Sequence, residues 1–269
     1  MVGAQLRDWR RRRRVTQLAL ALDAGISARH LSFVETGRSK PGRDLMLRIL
    51  EQLEVPFREQ NQLLMAAGHA PAFPERPLEG TDLAPVREAL DLILAGHDPY
   101  PAVAVDRYWN LVAANSTLTA LAAGVEIDPA LLEPPVNVLR VGLHPRGLGR
   151  LLVNAGEWIG HFRDRLERQL ATTSDERLAA LIEEIDGYPR PEGDSVREET
   201  EILGPLKMRA PDGRELSFLG MFAIFDTPFE VTASELAVEL MFPADRGTAE
   251  ALEAFGRELT RNRPPASRI

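Results

Sequence analysis

The chain has 269 residues, of which 44% are hydrophobic and 27% charged, and it contains no cysteine. That mix supports folded cores and excludes wholesale disorder, disulfides, thiolate metal sites and cysteine nucleophiles. The net charge of −8 is uneven: residues 1–70 carry +5 and the remainder −13, as expected for a small polyanion-binding module joined to a body that does not bind polyanions.

The N-terminus, MVGAQLRDWRRRRR, has no apolar stretch before a cleavage site, so no secretory signal is expected. No apolar run reaches the ~18 residues of a membrane-spanning helix. The cytoplasm is the expected location, with no membrane insertion.

Ala4 to Arg13 holds good helix formers and no Gly or Pro. Thr16 is placed to cap a short helix from Gln17 to Ala24, which Gly25 stops at the left-handed C-terminal position. Ser27 caps the next helix, Ala28 to Thr36, and Gly37 ends it; Arg38, Ser39, Lys40 and Pro41 form a basic turn. A further helix starts at Gly42 or Arg43 and is broken by Pro56, and a fifth runs from Phe57 to Ala67. Residues 1–68 therefore read as one all-α domain. Residues 69–81, with Pro71, Pro74 and Pro77, read as a semi-stiff linker.

Residues 82–260 read as a second, α+β domain. It opens with a helix from Asp82 to Ala95, two short strands around a turn at Asp106-Arg107, and a helix from Asn115 to Ala123. Helices follow at 136–140, at 148–171, and from a Ser174 cap to Asp186. Strand alternation then appears at Leu203 to Arg209 and Glu215 to Phe225, around a turn at Ala210 to Gly213. Both faces of the second strand are apolar, so it is expected to be central and covered on each side. Asp226-Thr227-Pro228 turns the chain into a strand from Ser234 to Phe242, Arg246 to Leu259 makes a closing helix, and 261–269 read as a flexible tail.

Two short helices joined at Gly25-Ile26-Ser27 make a helix-turn-helix. The glycine takes the positive-φ turn, Ile26 fills the angle, and the second helix must present polar side chains to a groove. Leu31 and Val34 point inward, while Ala28, Arg29, Ser32 and Phe33 point outward. Thr16 and Gln17 put backbone N–H groups and an amide where a phosphate sits. Arg38, Lys40 and Arg43 supply further phosphate contacts. With the Ser27 cap, these ten residues are the expected DNA-facing set.

The segment 1–68 resembles the Cro/repressor-type (XRE-type) DNA-binding domain. The resemblance rests on L-R-x-W-R (Leu6 to Arg10), Thr16-Gln17, A-G-I-S (Ala24 to Ser27), E-T-G-R-S (Glu35 to Ser39) and the following L-x-x-L spacing. It implies a recognition helix in the major groove of double-stranded DNA, with base contacts from Ala28, Arg29, Ser32 and Phe33. It also implies that Arg10 pairs with Glu35, which would make both structural. With Ala28 and Phe33 in place of amides, readout leans on Arg29 to guanine and on apolar contact to thymine methyls.

The chain has no G-x-S-x-G, P-loop or H-E-x-x-H sequence, and its five histidines lack metal-ligand spacing. No enzyme, metal or cofactor is expected. In the helix read at 148–171, Asn154, Trp158 and His161 flank an apolar stripe, as an amphiphile site requires. Residues 82–260 resemble the ligand-binding domain of MmyB-like transcription regulators. The matching stretches are Val105 to Asn115, Asn137 to Pro145, Asn154 to Trp158, Asp212 to Phe218 and Phe225 to Asp245. The resemblance implies a PAS-like fold, an antiparallel sheet with packed helices, holding a fatty acid or similar hydrophobic ligand. The ligand-contacting candidates are Arg107, Trp109, His144, Asn154, Trp158, His161, Phe218, Phe222 and Phe225. The expectation is a homodimeric, ligand-sensing DNA-binding regulator on a palindromic operator, because one short recognition helix reads few bases. The alternatives are a second domain that only dimerises or docks a protein partner, and one that is an enzyme tethered by the head.

Overall fold

Helix starts in the first 70 residues are set by side chains acting locally. In the computed structural model, which describes residues 2–173, 175–189, 204–210, 212–225 and 229–262, Thr16 Oγ1 accepts from Ala19 N and Ser27 Oγ from His30 N. These bonds satisfy N–H groups that a helix start leaves open. The helices are α1 (Val2–Arg12), α2 (Gln17–Asp23), α3 (Ala28–Glu35), α4 (Arg43–Gln52) and α5 (Phe57–Ala66). Gly25 turns between α2 and α3 at φ +70°, where a Cβ is penalised. Leu6, Trp9, Leu20, Leu31, Val34, Met46, Ile49 and Leu64 share one core.

The chain divides into two units, the first comprising Met1–Pro77, Arg168–Asp175 and Thr227–Ser234 and the second the rest. Within the first, the proline-rich segment is held rather than free. Phe73 stacks on Phe57 at 4.0 Å, and Asn61 Oδ1 accepts from Ala72 N and Phe73 N. Glu230 Oε1 accepts from Arg76 N, and Val231 N, in the four-residue α11 (Val231–Ser234), donates to Pro74 O. These bonds pack residues 72–76, part of the segment 69–81 read as a semi-stiff linker, against α5 and α11.

The second unit is an α+β PAS-like domain. Its strands are β1 (Ala102–Val105), β2 (Leu111–Ala114), β3 (Leu206–Arg209), β4 (Glu215–Ile224) and β5 (Ala237–Pro243), in the antiparallel order β2-β1-β5-β4-β3. The helices are α6 (Ala84–His97), α7 (Ser116–Ala123), α8 (Val138–Leu143), α9 (Ala155–Thr173, its last turn in the first unit), α10 (Glu176–Asp186) and α12 (Arg246–Asn262). On one face of the sheet, Leu90 and Leu94 of α6 pack with Ala102, Ala104, Leu236 and Val238. Trp158 and Phe162 of α9 cover the other face, against Trp109 and Phe222.

Three expectations are corrected. The helix read over 148–171 is broken: Leu148–Leu151 is a 3-10 turn, Leu152 is extended and bridges Met208, and α9 begins only at Ala155. β4 is not covered along its whole length. β3 pairs with it only as far as Phe218, and beyond that Met221 is 57% and Ile224 73% exposed. The closing helix runs to Asn262, so positions 261 and 262 leave the expected tail. The Ser174 cap and the Asp226-Thr227-Pro228 turn lie outside the described residues, as does Pro211 in the 210–213 turn.

Candidate functional site

In the first unit, the geometry around α3 is fixed from below. Glu35, at the end of α3, is 3% exposed and takes three donors. Arg10 Nε reaches Oε1 at 2.6 Å, Arg10 Nη2 reaches Oε2 at 3.0 Å, and Gln17 Nε2 reaches Oε2 at 2.6 Å. Burial pushes the Glu35 carboxyl up, but the hydrogen bonds from Arg10 and Gln17 outweigh it and hold it below the ordinary range. One buried carboxylate thus ties α1, α2 and α3 together. The structure therefore commits the Gln17 amide, expected at a phosphate, to Glu35.

With its inner face locked, α3 presents the other. Arg29 is exposed and Ser32 and Phe33 half-buried, while Ala28 is half-buried and packed on the core. The Arg29 guanidinium lies 5.4 Å from the Phe33 ring centroid and that of Arg38 5.9 Å. Two cations therefore flank one aromatic ring at the end of the exposed face. Arg38 and Lys40 are exposed in the loop that follows, and Arg43 is exposed at the first position of α4. A cleft of about 680 Å³ beside Thr16 is lined by Arg7, Arg10, Arg11 and Arg14. Apart from the implied pairing of Arg10 with Glu35, the arginines at 11–14 were read only as part of the basic N-terminal charge, yet two of them have structural partners. Arg13 donates to the Leu53 and Glu54 carbonyls, and Arg12 stacks over Trp9 at 4.2 Å.

In the second unit, aromatic side chains converge between α9 and the sheet. The Trp109 ring centroid is 5.4 Å from Phe162 and 5.6 Å from Phe222, and Trp158 is 5.1 Å from His161 and 5.5 Å from Phe162. The Arg165 guanidinium sits 3.6 Å over Phe222. Trp109 is buried and held at φ +66°, an uncommon conformation for a bulky residue. Asp106 Oδ1 imposes the turn by accepting from Tyr108 N and Asn110 N.

The expected ligand residues separate accordingly. Trp109, Trp158, His161 and Phe222 meet in this cluster, and Phe218 is buried on the same sheet face. The others serve elsewhere. Arg107 pairs with Glu235 at 2.7 Å, and the His144 ring lies 4.9 Å from Tyr188. Asn154 donates to Pro205 O and accepts from Lys207 N, fixing the start of α9 to β3. Phe225 packs on the opposite face with the Leu90 core.

Sequence reasoning passed over Phe162, Arg165 and Glu239 as site residues. Trp158, Phe162 and Arg165 recur at i, i+4 and i+7, a helical signal that was available. Glu239 is 5% exposed on β5, and burial pushes its carboxyl up to about 7 although Arg165 pulls it down. A cavity of about 1120 Å³ lies elsewhere in this unit, lined by Pro99, Ser116, Thr117 and the α12 residues Glu253, Gly256 and Thr260. Among the described residues no group of His, Asp and Glu is arranged to hold a metal, and no helix is long and apolar enough to cross a membrane.

Residues 86–255 match the family described as MmyB-like transcription regulator ligand binding domain, and residues 6–60 match a helix-turn-helix family. An uncharacterized HTH-type transcriptional regulator of Bacillus subtilis (strain 168), RghRB, is 38% identical over 81 residues, 30% of this chain and 56% of that protein. The chain thus spans about half the length of that curated relative. A solved RNA-binding Light-Oxygen-Voltage receptor aligns with 94% of this chain and 62% of its own at 13% identity and a TM-score of 0.29. A score that low carries no argument.

Proposed function

The chain belongs to the family of MmyB-like transcription regulators, and from that premise we propose that it is a ligand-responsive, sequence-specific DNA-binding regulator. The exposed face of α3 is what carries the DNA reading. Arg29, Ser32 and Phe33 stand there on a helix locked by Glu35, beside the exposed cations Arg38, Lys40 and Arg43. Arg29 reads a base edge in the major groove, and the loop cations position the helix on the phosphates. The protein acts as a homodimer on a palindromic operator, because an eight-residue helix reads too few bases for specificity. Selection from random duplexes, followed by binding of the winning site across a salt series, tests this. A palindromic site and a steep salt dependence are expected; equal binding to all duplexes overturns sequence-specific reading.

The second unit holds a small hydrophobic ligand, a fatty acid or related acyl compound, in the aromatic layer of Trp109, Trp158, Phe162 and Phe222. Such a layer beside a few polar groups is the usual composition of an amphiphile site. The ligand changes DNA affinity by binding one conformation better than another. One observation favours a different reading, in which this unit only dimerises or docks a partner: a cavity of about 1120 Å³ opens at α12, away from the aromatic layer. Native mass spectrometry of the purified protein separates the two. A co-purified amphiphile that changes operator affinity supports the sensor; an apo mass and no response to added amphiphile support docking.

A further inference from the structure

The outward face of α3 carries a side chain that cannot make a hydrogen bond at a place where base edges are to be read. Phe33 stands one turn after Arg29 on that face and is half-buried. Among the described residues, the half-buried apolar side chains that pack on the core of the first unit include Ala28 but not Phe33. Its ring neighbours are cations instead: the Arg29 guanidinium lies 5.4 Å and that of Arg38 5.9 Å from the ring centroid. The backbone builds the second contact. Gly37 turns at φ +74°, and Phe33 O accepts from Arg38 N at 2.8 Å and from Ser39 N at 3.1 Å, which folds the loop back on the end of α3. The ring is thus in place before a duplex arrives, with Arg29 beside it.

What such a ring can read follows from base chemistry. A phenyl group offers no donor or acceptor, so it discriminates only apolar groups. In the major groove the one methyl group that a standard base presents is the C5-methyl of thymine, and cytosine carries hydrogen at that carbon unless it is methylated. The Arg29 fork suits the O6 and N7 of guanine. We propose that Arg29 and Phe33 read one dinucleotide step together, a guanine preceded on the same strand by a 5-methylpyrimidine, so that 5-methylcytosine is accepted in place of thymine and unmodified cytosine is disfavoured. This rests on the reading of α3 as a major-groove helix, and it adds a regulation to that reading: the chain senses cytosine methylation at its own site.

The distances close. Neighbouring bases on a strand stack about 3.4 Å apart. A methyl group in ordinary contact with both the guanidinium and the ring, about 4 Å from each, fits between groups that are 5.4 Å apart. The guanidinium that bonds the guanine then lies against the methyl group of the preceding base, and the phenyl ring closes the other side of that methyl group to water. Cytosine leaves the same place empty, so the ring loses its partner while the guanine contact is kept.

Duplexes that differ by a single methyl group isolate this contact. The full chain first selects its preferred duplex, in which a thymine-guanine step is expected in each half-site. Anisotropy titrations then compare that duplex with one carrying deoxyuridine for the thymine, which keeps every hydrogen bond of the pair and removes the methyl group. A second comparison sets 5-methylcytosine against cytosine at the same position. In both comparisons the wild-type chain should bind the methylated member about fourfold more tightly, the worth of one buried methyl group. Phe33→Ala should bind the two members of each comparison equally. Changing the guanine to 7-deazaguanine removes the N7 acceptor and should weaken the wild-type chain about tenfold, while Arg29→Ala should be indifferent to it. Equal binding within both comparisons by the wild-type chain overturns the step and leaves the DNA reading standing, as does a preferred duplex without a thymine-guanine step. A methyl preference that survives in Phe33→Ala overturns the role of Phe33. Absence of any preferred duplex removes the DNA reading and the step with it.

Discussion

The Arg10 guanidinium meets the Glu35 carboxylate with two parallel bonds, Nε to Oε1 at 2.6 Å and Nη2 to Oε2 at 3.0 Å, across a gap of 25 residues. The pair is nearly desolvated: the Arg10 side chain is 11% and the Glu35 side chain 1% exposed. Removing one member of such a pair strands the other charge, at a cost of roughly 3–5 kcal/mol. Arg10→Met is expected to lower stability by that order, and the double change with Glu35→Leu to recover part of it. Urea unfolding of Arg10→Met, Glu35→Leu and the double variant measures the coupling, and additive losses would show that the pair does not act as a unit.

The same pair gives the first unit an acid limit. Glu35 is held below the ordinary carboxylate range by its hydrogen bonds. A depressed carboxyl contributes stability that is present above the unfolded-state pKa, about 4.3, and is lost as pH falls through the folded value. Glu35→Gln should flatten the loss of stability below about pH 4 while lowering stability at pH 7. Melting curves at both pH values check the sign.

On duplex DNA the loop cations and Arg29 have separable signatures. Each phosphate contact made by Arg38, Lys40 or Arg43 adds about 0.9 to the slope of log affinity against log salt. Arg38→Ala and Lys40→Ala should each lower that slope by about 1 on every sequence. Arg29→Ala should instead cost roughly 1–3 kcal/mol on the preferred site and relax the choice of one base pair. Anisotropy titrations on preferred and scrambled duplexes distinguish the patterns; an Arg29 variant that weakens both duplexes equally would assign Arg29 to the backbone.

How much of this was legible in the sequence follows the range of the interactions. α2 and α3 could be read almost to the residue because their signals are local: Thr16 and Ser27 cap within three residues, and Gly25 turns in place. The break before α9 could not be read. Leu152 is drawn into extended form by its bridge to Met208 and Asn154 by its bond to Lys207 N, more than 50 residues away, while the local sequence carries an uninterrupted helical period. Glu239 was missed for a related reason. An acid alternating with Val238 and Leu240 reads as the wet side of a strand, and only the packing of α9 over that side makes it dry.

That dry environment predicts a stability profile opposite in sign to that of Glu35. Glu239 is pushed up to about 7 by burial, so between about pH 4.3 and 7 the folded chain holds a proton that the unfolded chain has released. Stability contributed by this group is complete below the unfolded value and is lost as pH rises through about 7, by an amount on the order of 3 kcal/mol. Glu239→Gln should remove this loss and raise the melting temperature more at pH 8 than at pH 5. Equal shifts at both pH values would mean that the acid is not buried alone.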